Sequence, residues 1–415
     1  MTGFEGSTPR RIALGNNPGR NRTHNRRVVL DVIRAHGPLG RTRIARLAQL
    51  TPQAVANIVD ELAADRLLVE VGRLRRNGRG QPPLQFAINP DGPMTAGVEI
   101  AADHMVTVLL DLAGTVRSSS IVPLRRTDPE TVTARLPGEI AAARSRVAGR
   151  KVELLGVGVV MPGPFDIDGM TSVGPTTLPG WGGVDASAVI GVAIDETVTV
   201  ENDATAAAVG ERLYGAGREL NNFLMIYFGA GLGLGIVNEG LPLRGAFGNA
   251  GEIGHAVVVP HGRPCPCGQE GCLERYASLQ ALRETLSQAG IAADTPADIE
   301  ALHQAGHPVL RGWIAEAAGH LRPMIATLEN VLDPETIIIG GALSDAVIDD
   351  LIAALTPLPR SVATRRQRAL PRLMRGQTGQ LTAALGAAAL PLLETITPKL
   401  DIAAEPEAAP VATTL

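Results

Sequence analysis

The chain has 415 residues and a mass of 43.3 kDa, a length that favours two or three domains. Hydrophobic residues make up 45% and charged residues 19%, which excludes a disordered protein. No stretch approaches the ~18 apolar residues of a membrane helix, the N-terminus lacks an apolar signal segment, and three cysteines exclude a disulfide scaffold. We therefore expect a cytoplasmic protein with no membrane partner.

The charge is distributed unevenly. Residues 1–90 contain 15 Arg, no Lys and six acidic residues, a net charge of +9, while the rest contain 23 basic and 36 acidic residues, a net charge of −13. A basic segment joined to an acidic one indicates two tasks, and a polyanion is the expected partner of the basic segment.

The basic segment has a helical pattern that ends in a hairpin. Apolar residues at helical spacing predict helices over residues 22–36 and 41–49. Thr51 and Pro52 predict the N-cap and first position of a third helix. Residues 67–89 are predicted to form two strands, joined by the basic loop RRNGRGQPP.

Three short helices and a basic hairpin over residues 21–90 are typical of a winged helix-turn-helix domain. The third helix would enter the major groove of DNA, and the hairpin arginines would meet phosphates or the minor groove. The alternative is a small helical bundle with a solvated Arg face. The candidate DNA-binding residues are Thr51, Gln53, Asn57, Arg73, Arg75, Arg76 and Arg79.

From residue 91 the pattern changes to alternating strands and helices. Two glycine-containing hairpins, AGVEIAADHMVTVLLDLAGTV and NNFLMIYFGAGLGLGIVNEG, each open a half of this segment. Long helices are predicted over residues 309–331 and 376–393. The repetition favours two similar α/β lobes.

These patterns set the expected domain boundaries. Residues 1–20 and 401–415 lack periodicity and are expected to form a disordered arm and a disordered tail. Lobe 1 would span about residues 91–200 plus the C-terminal helix, and lobe 2 about residues 201–375. Together they form one domain over residues 91–400.

All three cysteines lie within eight residues, at Cys265, Cys267 and Cys272. Thiolates with one imidazole suit tetrahedral zinc, and a closed site of three Cys and one His is structural. Three free thiols are the alternative. His255 and His261 both lie close enough in sequence to be the fourth ligand.

Two further motifs carry polar side chains. Glu252 and His255 flank a glycine, and Asn202-Asp203 stands between a predicted strand and a predicted helix, a location that ligand sites in α/β folds favour. Carboxylates and amides suit the hydroxyls of a sugar. Taken alone, Asn-Asp is most often a helix cap.

The segments GNAGEIGH, CPCGQEGCLE and ENDATAAA, behind a basic helix-turn-helix, closely resemble the ROK family (repressors, open reading frames, kinases), and specifically its transcriptional repressors. The resemblance covers about residues 22–395. It implies an N-terminal winged helix-turn-helix followed by a two-lobed actin-like ATPase (ribonuclease H-like) domain.

The resemblance also implies the site residues. One structural zinc per chain would be bound by His255, Cys265, Cys267 and Cys272. The sugar contacts would be Asn202, Asp203, Glu252, His255 and Glu274, with weaker matches at Gly163 and Thr177. Thr177 stands where the family usually has Asn.

The family's kinases bind the phosphates of ATP with two glycine-rich loops, and the sequences of both loops differ in this chain. The first loop of the kinases reads Asp-x-Gly-Gly-Thr, and the matching residues here are Glu99-Ile100-Ala101-Ala102-Asp103. Their second loop reads Gly-Thr-Gly, and the matching residues here are Gly229-Ala230-Gly231. Two Cβ atoms and a negative charge oppose phosphate binding. Gly340-Gly341 and Asp203, the sugar-activating base of the kinases, remain. We expect no bound ATP and no catalytic residue, with Asp203 a vestigial base.

The expected function is a sugar-responsive DNA-binding regulator of carbohydrate metabolism, with a repressor favoured over an activator. It would bind operator DNA as a homodimer or tetramer and respond to a sugar or sugar phosphate. The alternative is an active ROK carbohydrate kinase with an appended DNA-binding head. A third class, a sensor that answers to a protein effector, has relatives among the family's repressors.

Overall fold

The chain divides into two compact units. The first comprises Met1–Ile88 with Thr395–Leu415, and the second comprises Asn89–Glu394. We call the described residues of Met1–Ile88 the head and those of Asn89–Glu394 the body. The computed structural model describes residues 11–13, 18–73, 84–147, 152–163, 178–293, 295–363, 368–396 and 402–404.

The head has three helices and a small sheet. Its elements are β1 (Arg11–Ala13), α1 (Pro18–His36), β2 (Leu39–Gly40), α2 (Arg41–Ala48), α3 (Pro52–Ala64), β3 (Leu68–Arg73) and β4 (Leu84–Ile88). The predicted helices and hairpin strands are confirmed. Helix α1 begins at Pro18, before the predicted position 22. Strand β2, which pairs with β4, was not predicted because two residues carry no periodicity.

Helix α3 begins as its sequence predicts. Thr51 is the N-cap, and its hydroxyl accepts a hydrogen bond from the Ala54 N–H at 3.2 Å. One face of α3 is buried, at Val55, Ile58, Val59 and Leu62. The opposite face therefore remains on the surface of the head.

The first half of the body is built on one five-stranded sheet. Its elements are β5 (Met94–Ile100), β6 (His104–Asp111), β7 (Val116–Pro123), α4 (Pro129–Ser145), β8 (Leu154–Met161), α5 (Ala186–Ile194), β9 (Val198–Asn202) and α6 (Asp203–Tyr214). Helices α4 and α5 cover one face of this sheet through a core that includes Leu136 and Ile190.

The second half is built on another five-stranded sheet. Its elements are β10 (Phe223–Phe228), β11 (Leu232–Asn238), β12 (Leu241–Pro242), α7 (Leu279–Gln288), α8 (Pro296–Gln304), α9 (Pro308–Leu332), β13 (Thr336–Gly341), α10 (Asp345–Leu355), β14 (Leu373–Arg375) and α11 (Thr382–Ile396). Trp313 of α9 is 1% exposed and lies in the hydrophobic core of this half. None of the helices that the structure describes is both long enough and apolar enough to span a bilayer.

The two sheets have the same topology. The orders are β7-β6-β5-β8-β9 and β12-β11-β10-β13-β14. In each sheet the first three strands in chain order form antiparallel pairs. The fourth strand pairs in parallel with the first, and the fifth pairs in parallel with the fourth. The prediction of two similar α/β lobes is therefore confirmed.

Helix α11 begins six residues later than the predicted start at position 376. The carboxylate of Glu211, a fully buried residue of α6, holds the preceding loop. It accepts hydrogen bonds from the N–H groups of Gln377 at 2.8 Å and Thr378 at 2.9 Å, and from the Thr378 hydroxyl at 2.7 Å. A fourth comes from the Ala216 N–H at 2.6 Å. These bonds fix a loop where periodicity suggested a helix.

Helix α11 packs on the first sheet with almost no intervening side chains. A Cβ atom at Gly158 of β8 would overlap the carbonyl oxygen of Ala387, and one at Gly97 of β5 would overlap that of Ala384. A Cβ at Gly386 would likewise overlap the Ala206 carbonyl of α6. The contact is therefore one of backbone against backbone.

The expected arm and tail each contain a short strand. Strand β15 (Ile402–Ala404) pairs antiparallel with β1, with Ile12 opposite Ala403. These six residues differ from the expected absence of regular structure. Most of the predicted arm, and the tail beyond residue 404, lie outside the described residues.

Candidate functional site

Four potential metal ligands meet in one loop of the body. The ligand atoms of His255, Cys265, Cys267 and Cys272 all lie within 4.8 Å of one another. The loop runs between two short 3-10 turns, Ile253–His255 and Leu273–Arg275. Sγ of Cys267 is 3.6 Å from Sγ of Cys272, and Sγ of Cys265 is 3.7 Å from Nδ1 of His255. The four atoms could hold one ion between them.

The structure brings His255, and not His261, to the three cysteines. The side chain of His261 is 95% exposed, and its Nδ1 lies 3.8 Å from a carboxylate oxygen of Glu270. His261 lies in the same loop, in a left-handed backbone conformation with φ of 56°, and is not one of the residues whose ligand atoms converge.

The chemistry of this donor set suits a dication. Cys265 and Cys272 are 6% and 0% exposed. Burial raises the pKa of the Cys265 thiol well above its usual range and that of the Cys272 thiol to about 11. A tetrahedral cation of the zinc class would favour the thiolate forms, and three sulfurs with one imidazole nitrogen are a ligand set that such an ion prefers.

His255 connects this cluster to two carboxylates. Its Nδ1 is 3.6 Å from Oε1 of Glu274, and its Nε2 is 4.0 Å from Oε2 of Glu252. Oε1 of Glu274 is also 3.2 Å from Sγ of Cys265. Binding of a ligand to either carboxylate would therefore depend on the conformation of the loop.

Asn202 and Asp203 stand at the junction of β9 and α6, as the sequence predicts. Asn202 is the N-cap of α6, and its Oδ1 accepts hydrogen bonds from the N–H groups of Ala204 at 2.9 Å and Thr205 at 3.3 Å. Oδ1 of Asp203 accepts from Ala204 at 2.8 Å. The cap leaves the Asn202 amide N–H₂ and the second Asp203 oxygen for other partners.

Glycines allow these side chains to converge. A Cβ at Gly163 would lie 2.8 Å from Nδ2 of Asn202 and 3.3 Å from Oε1 of Glu252. A Cβ at Gly231 would lie 3.0 Å from Oε2 of Glu274. Residues of the two predicted motifs thus meet around the space beside Gly163.

We call the carboxylates and amide around this space the carboxylate pocket. Its members among the predicted residues are Asn202, Asp203, Glu252 and Glu274, with His255 behind the last two. Thr177, predicted as a weaker sugar contact, lies outside the described residues.

One further carboxylate, Glu99, acts electrostatically on Asp203 of this pocket. Burial, and after it the charges of Glu99 and Glu252, raise the pKa of Asp203 to about 7. Burial also raises the pKa of Glu99 to about 6. The sequence alone indicated only that Glu99 begins the first loop. Its position at the end of β5, a parallel neighbour of β8, which in turn pairs with β9, was the signal for this interaction.

The segments that match the nucleotide loops are tight turns. Between β5 and β6, Nδ1 of His104 lies 2.5 Å from Oδ1 of Asp103. At the second loop, the carbonyl groups of Gly229 and Ala230 accept hydrogen bonds from the first N–H groups of α7, at 3.3 and 3.1 Å.

The predicted DNA-binding residues divide into two groups. Gln53 and Asn57 are exposed on α3, and Nε2 of Gln53 donates to Oδ1 of Asn57 at 3.1 Å. Thr51 caps that helix. Arg73 ends β3. The remaining hairpin residues, Arg75, Arg76 and Arg79, lie outside the described residues.

The chain resembles both regulators and kinases of known structure or function. It is 28% identical to the xylose repressor of Caldicellulosiruptor bescii over 77% of this chain and 83% of that protein. A ROK family transcriptional regulator, a homolog of the E. coli MLC protein, superposes with a TM-score of 0.70 at 25% identity, covering 91% of this chain and 98% of the other.

A ROK family glucokinase from Streptomyces griseus, solved with glucose and AMPPNP, superposes with a TM-score of 0.60 at 27% identity, covering 72% of this chain and 98% of the other. The transcriptional regulator covers 91% of this chain and the glucokinase 72%, so the regulator matches more of it. The sequence matches the ROK family over residues 95–393, and the chain therefore belongs to the ROK family.

Proposed function

We propose that the protein is a sugar-responsive transcriptional regulator, specifically a repressor of genes for carbohydrate metabolism. The observation that carries this proposal is the combination, in one chain, of a head that exposes Gln53 and Asn57 on α3 with a ROK body that contains the carboxylate pocket. The similarity to a xylose repressor and to a ROK transcriptional regulator supports it.

The head would bind operator DNA. In this proposal α3 enters the major groove, where Gln and Asn side chains can pair with both hydrogen-bonding atoms of an adenine edge. Arg73, Arg75, Arg76 and Arg79 contact the phosphates or the minor groove. A homodimer or tetramer would present two heads to a palindromic operator.

The carboxylate pocket would bind the sugar. Each sugar hydroxyl both donates and accepts, so acceptor carboxylates at Asp203, Glu252 and Glu274 and the mixed amide of Asn202 can pair with several hydroxyls at once. Gly163 and Thr177 supply further contacts. Binding needs only to prefer one arrangement of the two lobes in order to change operator affinity.

The thiol and imidazole cluster would hold one structural zinc. Metal analysis should find about one zinc per chain in the wild type, and none in a His255→Ala variant. His261→Ala is the matched control, since that side chain is exposed and is not part of the cluster. Zinc-free wild-type protein would refute the assignment.

The rival function is carbohydrate phosphorylation, which the similarity to a glucokinase and the carboxylate of Asp203 favour. We propose that this activity is lost, because Asp103 and two alanines replace a phosphate-binding loop and positioning supplies most of phosphoryl-transfer catalysis. Sugar-dependent ADP release by purified wild type would reinstate the kinase.

The test of the main proposal uses the full chain. Operator sequences are selected from random DNA, and the best sequence is used in a shift assay with and without xylose, glucose and N-acetylglucosamine. We expect selective DNA binding that one sugar weakens, and no binding by a chain without residues 1–90. Failure to enrich any sequence, or equal binding without the head, would contradict the proposal.

A further inference from the structure

An ion pair beside the carboxylate pocket joins the two halves of the body. Nε of Arg244, which lies just after β12, donates to Oε2 of Glu201 in β9. Strand β9 belongs to the first sheet and β12 to the second. The side chain of Glu201 is 7% exposed and that of Arg244 is 38% exposed. The pair therefore joins a buried carboxylate to a cation that solvent can reach.

The carboxylate of Glu201 has a second partner in the pocket itself. Its Oε1 accepts a hydrogen bond from the backbone N–H of Asn202 at 3.0 Å, while its Oε2 accepts from Arg244. A buried carboxylate that loses its cation is unstable where it stands, because its charge is left uncompensated. Without Arg244 the Glu201 carboxylate would turn towards water, and its hydrogen bond to the Asn202 backbone would weaken.

The backbone of Arg244 leads to another pocket residue, Glu252. The carbonyl group of Arg244 accepts a hydrogen bond from the Ala250 N–H at 3.0 Å, which closes the loop between these two residues. The carbonyl group of Gly251 then accepts from the Leu234 N–H of β11 at 2.9 Å. Gly251 has a φ of 103°, and a Cβ atom there would overlap the Leu234 carbonyl oxygen. The chain that carries Glu252 is therefore held by backbone hydrogen bonds on both sides of this loop.

Arg244 thus contacts the segments that carry two pocket side chains, Asn202 and Glu252. These two side chains meet beside Gly163, as the short distances from its Cβ position show. A sugar that pairs with both needs them at a set separation, since hydrogen bonds require donor–acceptor distances of about 2.7–3.2 Å. We propose that the Arg244–Glu201 ion pair sets this separation, which makes Arg244 a positioning residue for sugar binding. This inference rests on the proposed function, because it concerns the ligand of the same pocket.

The test measures the sugar affinity of ion-pair variants of the full chain by isothermal titration. The probe is whichever of xylose, glucose and N-acetylglucosamine binds the wild type most tightly. Arg244→Met keeps most of the side-chain length and removes the charge. We expect it to bind the sugar about tenfold more weakly, a typical size for coupling within one hydrogen-bonded network. Glu201→Gln should weaken sugar binding in the same direction, and both variants should keep the wild-type zinc content.

A double substitution distinguishes positioning from a general loss of stability. If Arg244 acts through Glu201, adding Arg244→Met to Glu201→Gln should weaken sugar binding by no more than about twofold further. Losses that multiply in the double variant would overturn the proposal. Arg135→Met is the matched control, because it breaks the ion pair of Arg135 with Glu139 on α4, and it should keep the wild-type affinity.

The remaining outcomes separate the inference from the proposed function. Wild-type sugar affinity in folded, zinc-loaded Arg244→Met protein overturns the inference alone. If Arg244→Met does not fold, the milder Glu201→Gln decides, and wild-type affinity in that variant overturns the inference. If the wild type binds none of the three sugars, the proposed function itself fails, and the inference with it.

Discussion

Replacing Asp203 by Asn tests the proposed role of the pocket in sugar recognition. The amide can still accept the hydrogen bond from the Ala204 N–H, which Asp203 makes at 2.8 Å. The substitution keeps the volume and removes the charge. A sugar hydroxyl would lose a charge-assisted hydrogen bond worth about 1.5–3 kcal/mol, which corresponds to roughly 10- to 150-fold weaker sugar binding.

Protein stability should change in the opposite direction. Burial, together with Glu99, raises the folded-state pKa of Asp203 to about 7, above the unfolded value of about 3.9. The contribution of this group to stability is therefore complete below about pH 4 and is lost as the pH rises to about 7. The amide carries no such penalty, so its stability advantage over the wild type should grow by on the order of 2 kcal/mol between about pH 5 and about pH 8.

The assay combines titration of the sugar with urea unfolding at the two pH values. Asp195→Asn is the matched control, since it makes the same change at an exposed left-handed helix end, where Asn is well tolerated. Operator binding by Asp203→Asn should persist, with loss of the response to sugar. Normal sugar affinity in this variant, or a stability difference that does not depend on pH, would refute the reasoning.

Further predictions concern the zinc loop, the buried carboxylate and the head. Cys267→Ser should lower the zinc content and the melting temperature, whereas His261→Ala should alter neither; equal zinc in both variants would count against the site. Glu211→Gln should cost about 1–3 kcal/mol in urea unfolding, because an amide N–H₂ would face N–H donors, and unchanged stability would contradict this account. Gln53→Ala should relax the base preference of selected DNA. Arg75→Ala should instead reduce the log–log salt slope by about one, and an unchanged slope would exclude a phosphate contact.

Most of the fold could be predicted because local patterns determine it. Thr51 predicted the start of α3, and the two glycine-containing hairpins predicted the first strands of the two sheets. Helix α11 was placed too early because its small residues continue the pattern upstream, while the loop before it is held by Glu211, which is distant in sequence. No local signal reports such a contact.

The residues of the site were likewise predicted only in part. The spacing of the cysteines indicated a metal cluster, but spacing alone could not choose between His255 and His261, since that choice depends on how the loop folds. The electrostatic effect of Glu99 on Asp203 was missed because it depends on which strands are neighbours in the sheet, a property of topology.

The contact between α11 and the first sheet limits how this protein can diversify. Because Gly158 meets the Ala387 carbonyl and Gly386 meets the Ala206 carbonyl with no room for a methyl group, no gradual series of substitutions can loosen or shift that junction. Mutagenesis libraries directed there should yield almost exclusively unfolded clones. Under the proposed function, substitutions that change sugar selectivity should therefore be sought among the side chains of the carboxylate pocket and not at this junction.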